Sequence, residues 1–179
     1  MSAGPADELR ARADAAYAAG DLDRAADLYR RVLADHPDDV HALSRTGAIL
    51  AQTGDLDGAE RALRRALAVD PMHAPAHSNL GNVLYTRGDY AGALACYQKA
   101  AALDPGSPIY HDNLHAAYKR LGRIGEAVAA YRRARRLEAA RRAAADVPAG
   151  RGGGRPAAGC LPGLLLVFAA VAFLMASAS

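Results

Sequence analysis

Apolar and small residues recur along this chain at helical spacing, and the spacing itself recurs. Leu43, Gly47 and Leu50 fall on one helical face, and Leu80, Gly81 and Leu84 share the corresponding face further on. Pro37, Pro71 and Pro105 lie 34 residues apart, as do Gly20, Gly54, Gly88 and Gly122. Ala25, Ala59, Ala93 and Ala127 keep the same interval, and so do Tyr29, Leu63, Tyr97 and Tyr131. A fixed period of this size marks a stacked array. Four units follow, over about 6–39, 40–73, 74–107 and 108–141.

Local chemistry predicts the shape of each unit. Ala, Leu and Arg dominate and β-branched runs are missing, which favours helix. The recurring glycine takes positive φ and ends a first helix. The Asp that follows it at 21, 55 and 89 caps a second helix and suits its positive end. The proline cannot continue that helix and marks its exit. Each unit is therefore predicted to be a pair of antiparallel helices. The repeated Ala sits where two backbones approach, and the aromatic or Leu four residues later fills the space beside it. One such hairpin cannot bury its apolar face alone, so neighbours must stack.

With these columns in phase, the chain resembles the tetratricopeptide repeat family. The third unit carries the pattern through Leu80, Gly81, Leu84, Gly88, Ala93, Tyr97, Ala100 and Pro105. The second carries it through Leu43, Gly47, Leu50, Gly54, Ala59, Leu63, Ala66 and Pro71. The resemblance implies an all-α, right-handed α-solenoid of four helix-turn-helix repeats over residues 6–145. Three positions depart from the family pattern. Arg12 replaces an apolar residue, His115 a small one, and Ala139 the proline. Without that proline the last helix is expected to run on, from about Gly125 to Ala145.

Charge divides the chain in three. The overall balance is +3. Residues 1–122 carry 13 basic and 16 acidic groups, residues 123–159 carry 9 and 3, and the last 20 residues carry none. Residues 146–160 are rich in Gly, Pro and Arg and read as a flexible linker. Residues 161–179 are uncharged and close to the length of a bilayer core in helical form. Nine Leu, Val and Phe residues from Leu161 on favour insertion by roughly 3–5 kcal/mol. A single transmembrane helix is expected there. Arg141, Arg142, Arg151 and Arg155 precede it, which places the repeats on the cytoplasmic side and makes the segment a tail anchor. The Arg-rich stretch 132–142 is an expected contact for anionic lipid. No aromatic platform accompanies these arginines, so nucleic acid is not expected.

Candidate chemistry is sparse. Cys96 and Cys160 form neither a disulfide framework nor a metal knuckle. His111 and His115 are four apart, but nothing nearby completes a zinc site, and polar packing between repeats is the plainer reading. Gly152–Gly154 lack the Lys and Ser or Thr of a phosphate loop. No nucleophile–base arrangement emerges, so neither catalysis nor a cofactor is expected. Recognition by surface is the better destination. The first helices line the concave side of a stacked array. The polar face they expose includes Arg45, Asn79, Asn82, Tyr85, Asn113 and Arg120, beside Asp14, Tyr17, Ser44, Gln52 and Ser78. Asn79 and Asn113 occupy one column. The family resemblance implies that such asparagines hold an extended peptide through its backbone amides, since a carboxamide donates and accepts at once. A membrane-anchored adaptor for a protein or peptide is the expected function. Assembly of a membrane complex, or non-catalytic regulation of a separate enzyme, are the alternatives.

Overall fold

Gly20, Gly54, Gly88 and Gly122 adopt φ values of 79°, 94°, 85° and 71°. Each reverses the chain between two helices. The computed structural model describes residues 4–146, and these hold eight helices. They are α1 (Pro5–Ala18), α2 (Leu22–Asp35), α3 (Val40–Gln52), α4 (Leu56–Val69), α5 (Ala74–Thr86), α6 (Tyr90–Leu103), α7 (Pro108–Arg120) and α8 (Ile124–Ala145). The order gives four helical hairpins, and α8 outruns the other second helices, as its missing proline predicts.

The turns are closed by side chains as the sequence implies. Asp21, Asp55 and Asp89 each accept a hydrogen bond from the backbone N–H three residues on, at 3.1, 2.8 and 2.9 Å. These bonds satisfy helix N–H groups that have no intrahelical partner. Arg87, Gly88 and Asp89, which together spell an adhesion tripeptide, are all used in this way. Arg87 pairs with Asp57 and Glu60, Gly88 supplies the positive φ, and Asp89 caps α6.

Packing follows the columns. Ala25, Ala59 and Ala93 are fully buried, and Ala127 nearly so. The outer face of each second helix lies against the next first helix. Leu22, Ala26 and Leu33 pack with Ala42 and Ile49 of α3. Leu63 and Ala66 pack with Ala76, Leu80 and Val83 of α5. Leu94, Tyr97 and Ala101 pack with Tyr110, Leu114 and Ala117 of α7. The core is thus one spine renewed at each repeat. Arg12 sits exposed on α1, where no earlier helix needs an apolar surface.

His115 changes the packing of the last hairpin. In the other repeats the equivalent position is Ala13, Gly47 or Gly81, and the large residue opposite is buried: Tyr29, Leu63 and Tyr97 are 0%, 0% and 3% exposed. Opposite His115, Tyr131 is 46% exposed. Its ring lies 5.4 Å from the imidazole, centroid to centroid. The His115 ring takes the room itself and donates from Nδ1 to the Ala127 carbonyl at 2.9 Å.

The described residues up to Ala144 form one packed unit. The expected linker beyond residue 146 and the expected membrane helix at 161–179 lie outside the described residues. Among the described residues no helix is long and apolar enough to cross a membrane.

Candidate functional site

Three consecutive first helices, α1, α3 and α5, share a pocket of about 260 Å³. Tyr17 of α1 forms one wall, Ala48, Ala51 and Gln52 of α3 the floor and edge, and Asn79, Asn82 and Thr86 of α5 the far side. Helical spacing brings these residues together, since positions three and four apart share a face. Gln52 Nε2 donates to the Tyr17 hydroxyl at 2.7 Å and joins the first two repeats across the pocket.

The candidate asparagines are partly committed to the fold. Asn79 Nδ2 donates to Ser44 Oγ at 3.3 Å, and Asn113 Nδ2 donates to Ser78 Oγ at 3.0 Å. The same bond therefore recurs one repeat on. Ser44 and Ser78 are 2% and 4% exposed, so they lie beneath the polar face instead of on it. Each asparagine keeps its Oδ1 free of protein partners among the described residues. Asn82 Oδ1 accepts from the Tyr97 hydroxyl at 2.8 Å, which leaves its Nδ2 available as a donor. Asn79 and Asn82 together thus offer an acceptor and a donor within one pocket.

The other candidates are held elsewhere. Arg45 lies over the Tyr17 ring, 4.9 Å from its centroid, with Nε 3.6 Å from Asp14 Oδ1. Tyr85 packs edge-on against Tyr90 at 5.1 Å. Arg120 stacks on the other side chain of that pair, 4.5 Å from the Tyr90 centroid, and hydrogen-bonds its hydroxyl. Asn113 lies one repeat beyond the pocket. Of the six candidates, only Asn79 and Asn82 line this pocket.

A polar cluster beside the pocket centres on Asp14. Its Oδ1 accepts from the Tyr29 hydroxyl at 2.5 Å and lies 2.8 Å from His41 Nε2. Burial raises the Asp14 pKa, but the bonds from Tyr29 and His41 and the charges of His41 and Arg45 outweigh it, so the carboxyl titrates below its ordinary value. Burial, then the Asp14 carboxylate, pushes the Tyr29 phenol up. Tyr97–Asn82 is the same pair two repeats later. Between them Leu63 and Ala48 occupy the two positions, and that repeat has no such bond. Asp14 was visible in the sequence as a polar first-helix residue. Periodicity alone gives its partner Tyr29 only a packing role, because no local signal links residues 15 apart.

Four of the six histidines, His115 among them, bond to backbone. His77 Nε2 donates to the Pro71 carbonyl at 2.9 Å, and His111 Nε2 to the Pro105 carbonyl at 3.3 Å, again one repeat apart. His73 Nδ1 accepts from the Ala76 N–H at 3.2 Å and caps α5. Among the described residues no three His, Cys, Asp or Glu side chains converge on a point.

Comparison with known proteins agrees with this architecture. A tetratricopeptide repeat family model matches residues 10–65 and 52–108, and a second model of that name matches 116–140. A crystal structure of MamA superposes with a TM-score of 0.65 at 22% identity, over 78% of this chain and 81% of that one. MamA from Desulfovibrio magneticus RS-1 gives 0.63 at 26% identity, over 75% and 76%. A mutant of the Thermobaculum terrenum O-GlcNAc transferase gives 0.62 at 31% identity over 66% of this chain, which spans only 23% of the transferase. A search of curated proteins by sequence found no match.

Proposed function

Because the chain belongs to the tetratricopeptide repeat family, we propose that it is a protein-interaction scaffold whose first helices hold an extended segment of a partner protein, without transforming it. The observation that carries this reading is the pocket between α1, α3 and α5. Asn79 and Asn82 line it with Tyr17 and Gln52, and the Asn79 Oδ1 and Asn82 Nδ2 have no protein partner among the described residues. A peptide backbone needs one acceptor and one donor per residue, and the two carboxamides supply that pair. Tyr17 and the alanines give an apolar surface for a side chain. The binding step requires no charge on the partner.

The same reading places residues 161–179 in a bilayer with the repeats on its cytoplasmic side. Its support is the charge pattern: none in that segment and an excess of arginine before it. Anchoring raises the local concentration of the repeats near membrane partners, so a groove of modest affinity suffices.

The test is capture by chemical crosslinking in native membranes, with the full-length chain and with Asn79→Ala plus Asn82→Ala. The double variant should lose the captured partner while keeping its helical circular dichroism. Undiminished capture would remove these residues from the site. The likeness to part of a transferase favours a second reading, in which the scaffold presents substrates to a catalytic chain. Crosslinking that recovers an enzyme subunit, together with purified protein that turns over nothing by itself, would select that reading.

A further inference from the structure

The two ends of the repeat array are finished differently. At the N-terminal end, the positions that would face an earlier helix hold Glu8, Arg12 and Ala15, all exposed. In the interior repeats the same columns hold Ala42, Thr46 and Ile49, then Ala76, Leu80 and Val83, then Tyr110, Leu114 and Ala117. The N-terminal end is therefore charged at two of the three positions where the interior, apart from Thr46, is apolar. At the other end the reverse holds. On α6 the face covered by α7 is Tyr90, Leu94, Tyr97 and Ala101. The equivalent residues of α8 are Ile124, Val128, Tyr131 and Arg135. Ile124 is 59% exposed, Val128 41% and Tyr131 46%. This is a two-turn apolar stripe at the spacing used for packing a helix. Scattered apolar residues on a surface need no explanation, but a contiguous stripe that copies an internal interface does.

The border of the stripe identifies what fits it. Arg132 and Arg136 run along one flank, and Arg142 closes the far end in line with Ile124. All three are exposed and have no ionic partner among the described residues. Arg135, within the stripe, is already neutralised by Asp112 at 2.8 Å and Glu138 at 2.7 Å. A second copy docking by its own α8 would set these arginines against each other. A second copy docking by α1 would bring Glu8 and Arg12 onto Ile124 and Val128, burying charge on an apolar surface. We propose that the outer face of α8 receives an amphipathic helix from a protein partner, apolar on one side and carboxylate-rich along the flank facing Arg132 and Arg136. It lies on α8 as α7 lies on α6. Helix-in-groove recognition of this kind reads anchors at three- and four-residue spacing. This surface is separate from the pocket at α1, α3 and α5.

The probe is a fluorescent synthetic helix with a Leu stripe flanked by Glu, titrated into the full-length protein and followed by anisotropy. Binding is expected, and it should weaken by about tenfold or more in Val128→Asp plus Tyr131→Ser, as for loss of interface anchors. Asn79→Ala plus Asn82→Ala should leave it unchanged, which separates this surface from the peptide pocket. Circular dichroism controls for folding, and since both α8 positions are half-exposed the fold should persist. Equal binding of the same stripe flanked by Lys would overturn the proposal. So would an absence of peptide binding, or binding confined to phosphatidylglycerol vesicles. A photocrosslinking residue at position 128 of the full-length chain reports the remaining occupants. Crosslinks to a second copy, or to residues 161–179 of the same chain, would also overturn it.

Discussion

Tyr97 lies directly over Gly81, and a Cβ at position 81 would fall 2.5 Å from its Cε1. The ring cannot retreat, because it is 3% exposed and its hydroxyl is tied to Asn82. Gly47 and Leu63 repeat the contact one unit earlier, with a Cβ 2.6 Å from the leucine Cγ.

Gly81→Ala therefore sets two effects against each other. Alanine gains about 1 kcal/mol of helix propensity over glycine. Overpacking a tight core contact costs roughly 1–3 kcal/mol. A net loss of stability is expected, read as a lower urea midpoint. In the background Tyr97→Leu, where the residue opposite is smaller and flexible, the loss should shrink. An increase in midpoint for Gly81→Ala in the native background would contradict the packing described.

Ser78→Ala and Asn113→Ala remove the same hydrogen bond from opposite sides and should differ. Asn113→Ala leaves the Ser78 hydroxyl buried without its partner, at a cost of about 1–3 kcal/mol. Ser78→Ala removes the buried group itself and returns the Asn113 amide to the surface, so its cost should be smaller. Paired denaturation curves measure the difference. Equal losses would mean that the bond is not what holds these two repeats in register.

His73 makes stability depend on pH. Burial lowers its pKa below the ordinary 6.5, and the charges of His41, Arg45 and His77 act in the same direction, against Asp70. Protonating Nδ1 removes the acceptor for the Ala76 N–H and puts a cation at the positive end of α5. The folded state thus holds its proton less tightly than the unfolded one. The stability this group contributes is intact above about 6.5 and falls as the pH drops below that value. It is fully lost once the pH has passed below the folded-state pKa. His73→Asp, which copies the caps at 21, 55 and 89, should flatten the urea midpoint between about pH 5 and 7. Asp14, whose pKa is also lowered, acts further down. Its contribution is present above the unfolded carboxylate value and is lost in acid. An unchanged slope in His73→Asp would assign the pH dependence to other groups.

If residues 161–179 span a bilayer, the full-length protein should remain with membranes through an alkaline carbonate wash, and deletion of 161–179 should release it. Loss of the full-length protein in the wash would remove the anchor from the proposed function.

The repeat, its four turns and the caps at Asp21, Asp55 and Asp89 are legible in the residues because each depends on neighbours within a few positions. Gly88 needs only its own φ, and Asp89 needs only the N–H three residues on. Even the length of α8 follows from the residue at 139. The candidate site was legible in part. Asn79 and Asn82 could be placed on a first-helix face by spacing, but the commitments of their amides could not. The partners that matter are Ser44, 35 residues from Asn79, and Tyr97, 15 from Asn82. Which atoms meet across those intervals depends on how one hairpin seats on the next. That seating buries Ser44 and Ser78 and leaves Ile124, Val128 and Tyr131 uncovered. Sequence periodicity marks equivalent positions alike, whereas burial depends on whether a neighbour exists to cover them, and that is decided in three dimensions.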